Sequence, residues 1–297
     1  MRGVLCPQAL GPKDVVDVIA PSGPFDRTLF WRGVGWLSEH YRVRFSREAF
    51  QRRGFLAGDD ERRTAELNRA LAARDSKAIF CARGGHGALR IVQEAELARL
   101  LEHPKWLIGF SDFTLLHLEA QRLGLASIHA HNVTGLGRGD QRTRQQLLDI
   151  LGDPTRRRQF EGLGCWVRGT AQGPLVGGNL SLLVAAAAAQ RLHLPASSIL
   201  LLEEVAEAPY RLDRMLTALR LGGAFDRVAG VVIGELTDCH PGRHGVSAGD
   251  VVRDQMSRLN VPVAADLPVG HGARNHPIVL GLEATLDAGR GLLSVGG

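Results

Sequence analysis

Short apolar runs alternate with amphipathic stretches through the first third of the chain. Val15 to Ala20 is a β-branched run closed by Pro21-Ser22-Gly23-Pro24, which predicts a strand and then a turn. Residues 27–40 follow as a helix and Tyr41 to Phe45 as a second strand. Residues 60–74 space their apolar positions for an amphipathic helix. Ala78 to Cys81 is a short buried strand running into Arg83-Gly84-Gly85-His86-Gly87, and residues 88–101 read as helix. Trp106 to Phe110 is a strand, and Ser111-Asp112 opens a helix that reaches about Arg122. Strands alternating with helices predict an α/β fold, its mostly parallel sheet covered on both faces.

The pattern breaks at residues 135–172, which are rich in Gly, Arg and Gln. They read as the connection between two halves: an N-terminal α/β domain at 1–150, a linker at 151–172 and a C-terminal domain at 173–297. The second half offers a loop and helix (Gly177 to Gln190), a strand (Ile199 to Leu202) and a helix from about Tyr210 to Leu221. A strand at Val228 to Ile233, a helix near 249–258 and short β segments around the loop Gly270 to Asn275 complete it.

Composition narrows the class. With 297 residues, 44% of them hydrophobic, a large core can be buried. The longest apolar run, Leu180 to Ala189, falls short of the roughly 20 residues of a membrane span. Residues 1–20 lack the features of a secretory signal, so a soluble cytoplasmic protein is expected. Cys6, Cys81, Cys165 and Cys239 are scattered, which suggests neither a disulfide framework nor a zinc cage. The net charge is +5, yet the arginines are dispersed among acids and aromatics are only 5%. That is no platform for nucleic acid.

Four segments carry candidate chemistry. In Leu107-Ile108-Gly109-Phe110-Ser111-Asp112-Phe113-Thr114 a serine stands between a buried strand and a helix, where its hydroxyl can be presented on a tight turn. The same serine also reads as a simple helix cap. The turn Arg83–Gly87 follows a buried strand, and its glycines permit positive φ and close approach of the backbone. It matches neither a dinucleotide fingerprint nor a P-loop. Leu200-Leu201-Leu202-Glu203-Glu204 ends an apolar strand in two carboxylates, either to orient a histidine or to open a solvated loop. Gly270-His271-Gly272 offers a loop imidazole suited to a general base.

These segments, in this order, resemble the LD-carboxypeptidases, the murein tetrapeptide carboxypeptidases of peptidase family S66. The resemblance runs from Val18-Ile19-Ala20-Pro21-Ser22-Gly23 to about Leu286 and includes Gly177-Gly178-Asn179-Leu180 and Pro209-Tyr210-Arg211. It implies a Rossmann-like N-terminal parallel-sheet domain, a smaller C-terminal α/β domain and an active site at their junction. It also implies a triad of Ser111 as nucleophile, Glu203 as orienting acid and His271 as base. The oxyanion would be held by the N–H groups of Asp112 and Gly85, with Gly84, His86 and Asn179 as candidate pocket residues. The implied reaction releases terminal D-alanine from a muropeptide tetrapeptide during cell-wall recycling, without metal or organic cofactor, in a protein that is plausibly a homodimer. Two departures bear on specificity. His86 stands where the family commonly has tyrosine, and Ile128-His129-Ala130-His131-Asn132 replaces a Gly-Pro-Met type of segment.

Three other readings stay open at this point. A microcin-immunity-type peptidase would use the same triad on aminoacyl nucleotides. A metal-dependent hydrolase would draw on His129, His131, Cys239, His240 and His244. A non-catalytic module would bind a peptide fragment without turning it over.

Overall fold

Apolar runs punctuated by glycine and proline become the central strands of the first of two folded units. The computed structural model describes residues 4–297, the side chain of His244 excepted. One unit extends to Pro154 and takes in Pro277–Val279; the other comprises Thr155–His276 and Leu280–Gly297.

The first unit runs β1 (Val15–Ile19), α1 (Arg27–Ser38), β2 (Arg42–Arg44), α2 (Asp60–Ala72), β3 (Ser76–Cys81), α3 (Ala88–Ile91), α4 (Arg99–Glu102), β4 (Trp106–Gly109), α5 (Thr114–Arg122), β5 (Ser127–His129), α6 (Val133–Arg138) and α7 (Gln141–Gly152). β5, β4, β3, β1 and β2 lie side by side in that order, all parallel, and the late segment Ile278–Leu280 forms the edge next to β5. Ile19, Ile79, Leu107 and Phe113 meet α2 and α5 side chains in a fully buried core. In a parallel sheet the carboxyl ends of all strands share one side. Ser22-Gly23, Arg83–Gly87, Ser111 and Asn132 all follow such ends and gather there.

The helix expected at 88–101 is broken into α3 and α4. Asn68 of α2 is the cause: its amide donates to the Glu94 carbonyl at 3.1 Å and its Oδ1 accepts from Glu96 N–H at 2.9 Å. Those bonds take backbone groups that a continuous helix would need.

The second unit carries β6 (Arg158–Phe160), β7 (Gly164–Val167), β8 (Thr170–Asn179), α8 (Leu180–Ala188), β9 (Ser198–Val205), α9 (Pro209–Leu221), β10 (Val228–Thr237), α10 (Ala248–Ser257), β11 (Val263–Ala265), β13 (Glu283–Asp287) and β14 (Leu292–Val295), while β12 (Ile278–Leu280) is the segment already placed in the first sheet. Its eight strands are ordered β6-β14-β13-β8-β9-β10-β11-β7. The centre, β8 to β11, is parallel and the margins are antiparallel. Residues 151–172, read from sequence as a linker, therefore contain two whole strands, β6 and β7, and the start of β8. β6 and β7 are the edges of this sheet, each paired on one side only, so neither needs the apolar alternation by which a strand is recognised. Among the described residues no helix is long and apolar enough to cross a membrane.

Candidate active site

Ser111 follows β4 after the extended residue Phe110 and begins one turn of 3-10 helix, Ser111–Phe113. Its φ is +65°, a left-handed conformation that costs a side-chain-bearing residue on the order of 1–3 kcal/mol. A capping serine has no need of it. The N-cap position of α5 falls on Phe113, and no side chain caps that helix. The strand behind the serine is held by His117, which is fully buried. Its Nε2–H donates to the Gly109 carbonyl at 3.0 Å, and Nδ1 accepts from the Ser127 hydroxyl at 2.9 Å. Burial pushes this imidazole down to about 4, so it is neutral at physiological pH.

The glycine turn is pinned at several points beside the serine. Gly23 N–H donates to the Gly84 carbonyl at 3.0 Å. Because a trans peptide opposes its C=O and N–H, that bond directs Gly85 N–H to the side away from Gly23. Gly85 has φ +104°, open to glycine alone among common residues, and its N–H makes no hydrogen bond among the described residues. The buried Asp112 carboxylate accepts from Ala88 N–H at 2.8 Å; burial raises its pKa and this bond opposes the rise. A Cβ on Gly84 would lie 2.8 Å from Ser111 Cβ and 2.9 Å from its Oγ. Gly84→Ala is thus expected to displace the hydroxyl and lower kcat by about 100-fold, the cost of a poorly placed reacting group, with the protein still folded. Steady-state kinetics alongside a thermal melt check it.

Three residues that the sequence reading did not single out support this arrangement. Asn132 is buried, and its Oδ1 accepts from Phe110 N–H at 3.3 Å. The wholly buried Arg63 donates to the carbonyls of Pro21 and Gly87 and to Asp60, so one guanidinium ties the β1 loop to the glycine turn. Arg62 joins it, donating to the Ala20 carbonyl at 2.6 Å and to Glu66 at 3.0 Å. Arg63→Met strands those buried acceptors, and a loss on the order of 3 kcal/mol is expected in urea unfolding. The only sequence signal was a pair of arginines inside an amphipathic helix, which usually face solvent.

In the second unit β9 is buried on both faces as far as Glu204, so Glu203 and Glu204 are core residues rather than the start of a loop. Alternation along the strand sends them opposite ways. Glu204 is absorbed by α8: it accepts from Asn179 Nδ2 at 3.0 Å, Ser181 N–H at 2.7 Å and Ser181 Oγ at 2.6 Å. Asn179, a pocket candidate from sequence, is buried there and caps the same helix through Leu182 N–H. Glu203 turns toward His271, and their Nδ1–Oε2 separation is 2.7 Å. A carboxylate only accepts, so Nδ1 carries the proton and Nε2 keeps its lone pair. Burial by itself would lower the His271 pKa, but the bond and charge of Glu203, with Glu204 and Glu235 behind it, bring it above 6.5. Gly270, with φ +143°, lets the loop pass against Glu203, where a Cβ would lie 3.2 Å from Oε2.

The remaining candidates are dispersed. His86 is exposed and meets the exposed Phe55 edge-on, ring centroids 5.5 Å apart. His129 and His131 flank the Phe110 ring at 5.8 and 5.9 Å. Among the described residues no three His, Cys, Asp or Glu side chains converge to hold a metal, and the His244 side chain lies outside them.

Relatives of known name and structure match this chain over almost its whole length. The model of the LD-carboxypeptidase N-terminal domain matches residues 16–130, and that of the C-terminal domain matches residues 172–286. The chain belongs to the LD-carboxypeptidase family. The murein tetrapeptide carboxypeptidase of Pseudomonas aeruginosa is 33% identical over 89% of this chain and 87% of its own length. A Bacillus subtilis protein named "Probable murein peptide carboxypeptidase" is 30% identical, covering 97% and 94%. The crystal structure of muramoyltetrapeptide carboxypeptidase from Oxalobacter formigenes superposes with a TM-score of 0.84 at 26% identity, over 95% of this chain and 99% of that one. The microcin C7 self immunity protein MccF gives a TM-score of 0.88 over 99% and 98%, but at 19% identity this LD-carboxypeptidase shares with it a fold and no more.

Proposed function

We propose that the protein is a serine LD-carboxypeptidase that releases the terminal D-alanine of muropeptide tetrapeptides. The observation that carries this reading is the Glu203–His271 bond, which orients the imidazole as a base of this kind requires. Ser111 Oγ attacks the carbonyl that joins an L-configured centre to D-alanine, and its proton passes to His271 Nε2. The N–H groups of Asp112 and Gly85 receive the developing oxyanion. His271 then protonates the alanine nitrogen as the C–N bond breaks. Water, deprotonated by the same imidazole, hydrolyses the ester to leave a tripeptide and a free serine. A cytoplasmic location and a homodimer accompany this reading on the strength of the family resemblance.

The test is incubation of the purified protein with a tetrapeptide ending in D-alanine, EDTA present, and mass spectrometry for free D-alanine. Release in wild type and none in Ser111→Ala is the expected result. Release that EDTA abolishes would sink the serine mechanism. Turnover of an aminoacyl sulfamoyl nucleotide in place of the peptide would move the protein to the microcin-immunity reading.

A further inference from the structure

The first unit holds a cavity of about 530 Å³ in the groove between β1, the end of β2 and α2, and the mechanism above does not use it. Its volume falls within the roughly 300–1,000 Å³ of small-molecule sites. Val18, Ile19, Phe45, Ala70 and Ala73 give it apolar walls. Glu66 also lines it, is only 5% exposed, and its Oε1 makes no hydrogen bond among the described residues. Oε2 is already engaged: it accepts from Ala20 N–H at 2.7 Å and from Arg62 at 3.0 Å. Buried polar atoms are nearly always satisfied, so Oε1 calls for a donor from within the cavity. Two lining groups have donors to give in return. The exposed Arg69 side chain makes no hydrogen bond among the described residues. The Ser46 oxygen accepts from Glu48 N–H at 3.2 Å, which leaves its O–H to donate.

Charge decides what kind of ligand fits. Asp17 and Asp75, the other carboxylates on the lining, are both bonded to Arg44, at 2.6 to 3.1 Å. Burial raises the Glu66 pKa, and the charges of Arg62 and Arg69 oppose the rise, so two cations already act on this carboxylate. A ligand ammonium brought to Oε1 would be repelled by both. A ligand carboxylate only accepts, so it would leave Oε1 unsatisfied and be repelled by Glu66. A hydroxyl donates and accepts at once and carries no charge. The complement is a set of hydroxyls on a C–H framework, the hydroxyls for Glu66, Arg69 and Ser46 and the framework for the apolar walls. We propose that this cavity is a binding site for a neutral sugar ring, with Glu66 as its acceptor and Arg69 and Ser46 as its donors. The site communicates with the glycine turn. Glu66 holds Ala20 N–H, and Ala20 leads into the loop whose Gly23 N–H donates to the Gly84 carbonyl, so a bound sugar steadies that loop.

Glucose, glucosamine and glucuronate share one ring and differ in charge, so calorimetric titration of the full chain with each tests the site. Glucose is expected to bind saturably with a Kd of about 1 mM or tighter, and the two charged analogues about 10-fold or more weakly. Amide exchange at Ala20 is expected to slow with glucose bound, because its N–H and the ligand share the Glu66 carboxylate. Arg69→Met removes a donor and Ala73→Leu fills the cavity. Each is expected to weaken glucose binding about 10-fold or more while the thermal melt stays where it was. Glu66 is not the residue to vary, because it also bonds Arg62 and the Ala20 backbone. No saturable glucose binding, a charged analogue that binds as tightly, unchanged affinity in both variants, or unchanged exchange at Ala20 each overturns the site. None of these readouts requires D-alanine release, so the carboxypeptidase reading stands or falls separately.

Discussion

Ser111→Ala is expected to lower D-alanine release by on the order of a million-fold, since loss of a nucleophile in such a triad removes nearly all of its catalysis. Prolonged incubation with mass-spectrometric detection reads it, and a variant that keeps half the wild-type rate ends the nucleophile assignment. The fold gives this experiment a second arm. Ser111 sits at φ +65°, where a Cβ is strained and glycine is not. Ser111→Gly is therefore expected to be as inactive as the alanine variant but more stable than wild type. The gain should be about 1 kcal/mol, or a few degrees in unfolding temperature. A glycine variant that melts below wild type would mean that the serine conformation is not strained. Activity and stability are opposed at this one position, as they are where a backbone is held out of shape for chemistry.

Glu203→Gln is expected to lower kcat by about 10⁴-fold, because an amide no longer fixes the imidazole tautomer or balances the imidazolium. Its signature lies in the pH profile. As the proposed base, His271 would work only when neutral, so kcat/KM is expected to rise with pH through its pKa, which the surrounding carboxylates raise above the ordinary histidine value. Removing the nearest of them moves the acid limb of the residual activity to lower pH. A limb that stays in place would assign it to another group. Stability runs the other way in wild type. A histidine with a raised folded pKa contributes stability that is complete below about 6.5, its unfolded value, and lost as pH climbs through the folded one. Thermal melts across that interval should fall as activity rises.

The sequence made the strands of the parallel sheet and the triad candidates readable for definite reasons. β1, β3, β4 and β9 are buried on both faces over most of their length and read as mainly apolar runs, that of β1 interrupted only by Asp17. β8 was hidden because Pro174, Gly177 and Gly178 look like loop. Pro174 is accommodated near the middle of that strand, opposite Glu283 of β13. Gly177 is required because a Cβ there would strike the Leu201 carbonyl of the neighbouring strand. Glu203 and Glu204 looked equivalent as a pair, and only the opposite faces of β9 tell them apart. One bonds the histidine and the other holds the start of α8. The structural roles of Arg63 and Asn132 are not legible in the sequence, because Pro21, Gly87 and Phe110 meet them through main-chain atoms far along the chain, and a backbone partner leaves no residue type to recognise.

Ile278–Leu280, at the edge of the first sheet, has a consequence for synthesis on the ribosome. The residues up to Pro154 emerge first, yet the edge beside β5 is not covered until residue 280 has been made. At the roughly 5–20 residues per second of translation, β5 stays an open template for on the order of ten seconds. The nascent chain is exposed to wrong pairing in that interval, and a fragment truncated after Pro154 would carry the same bare edge permanently.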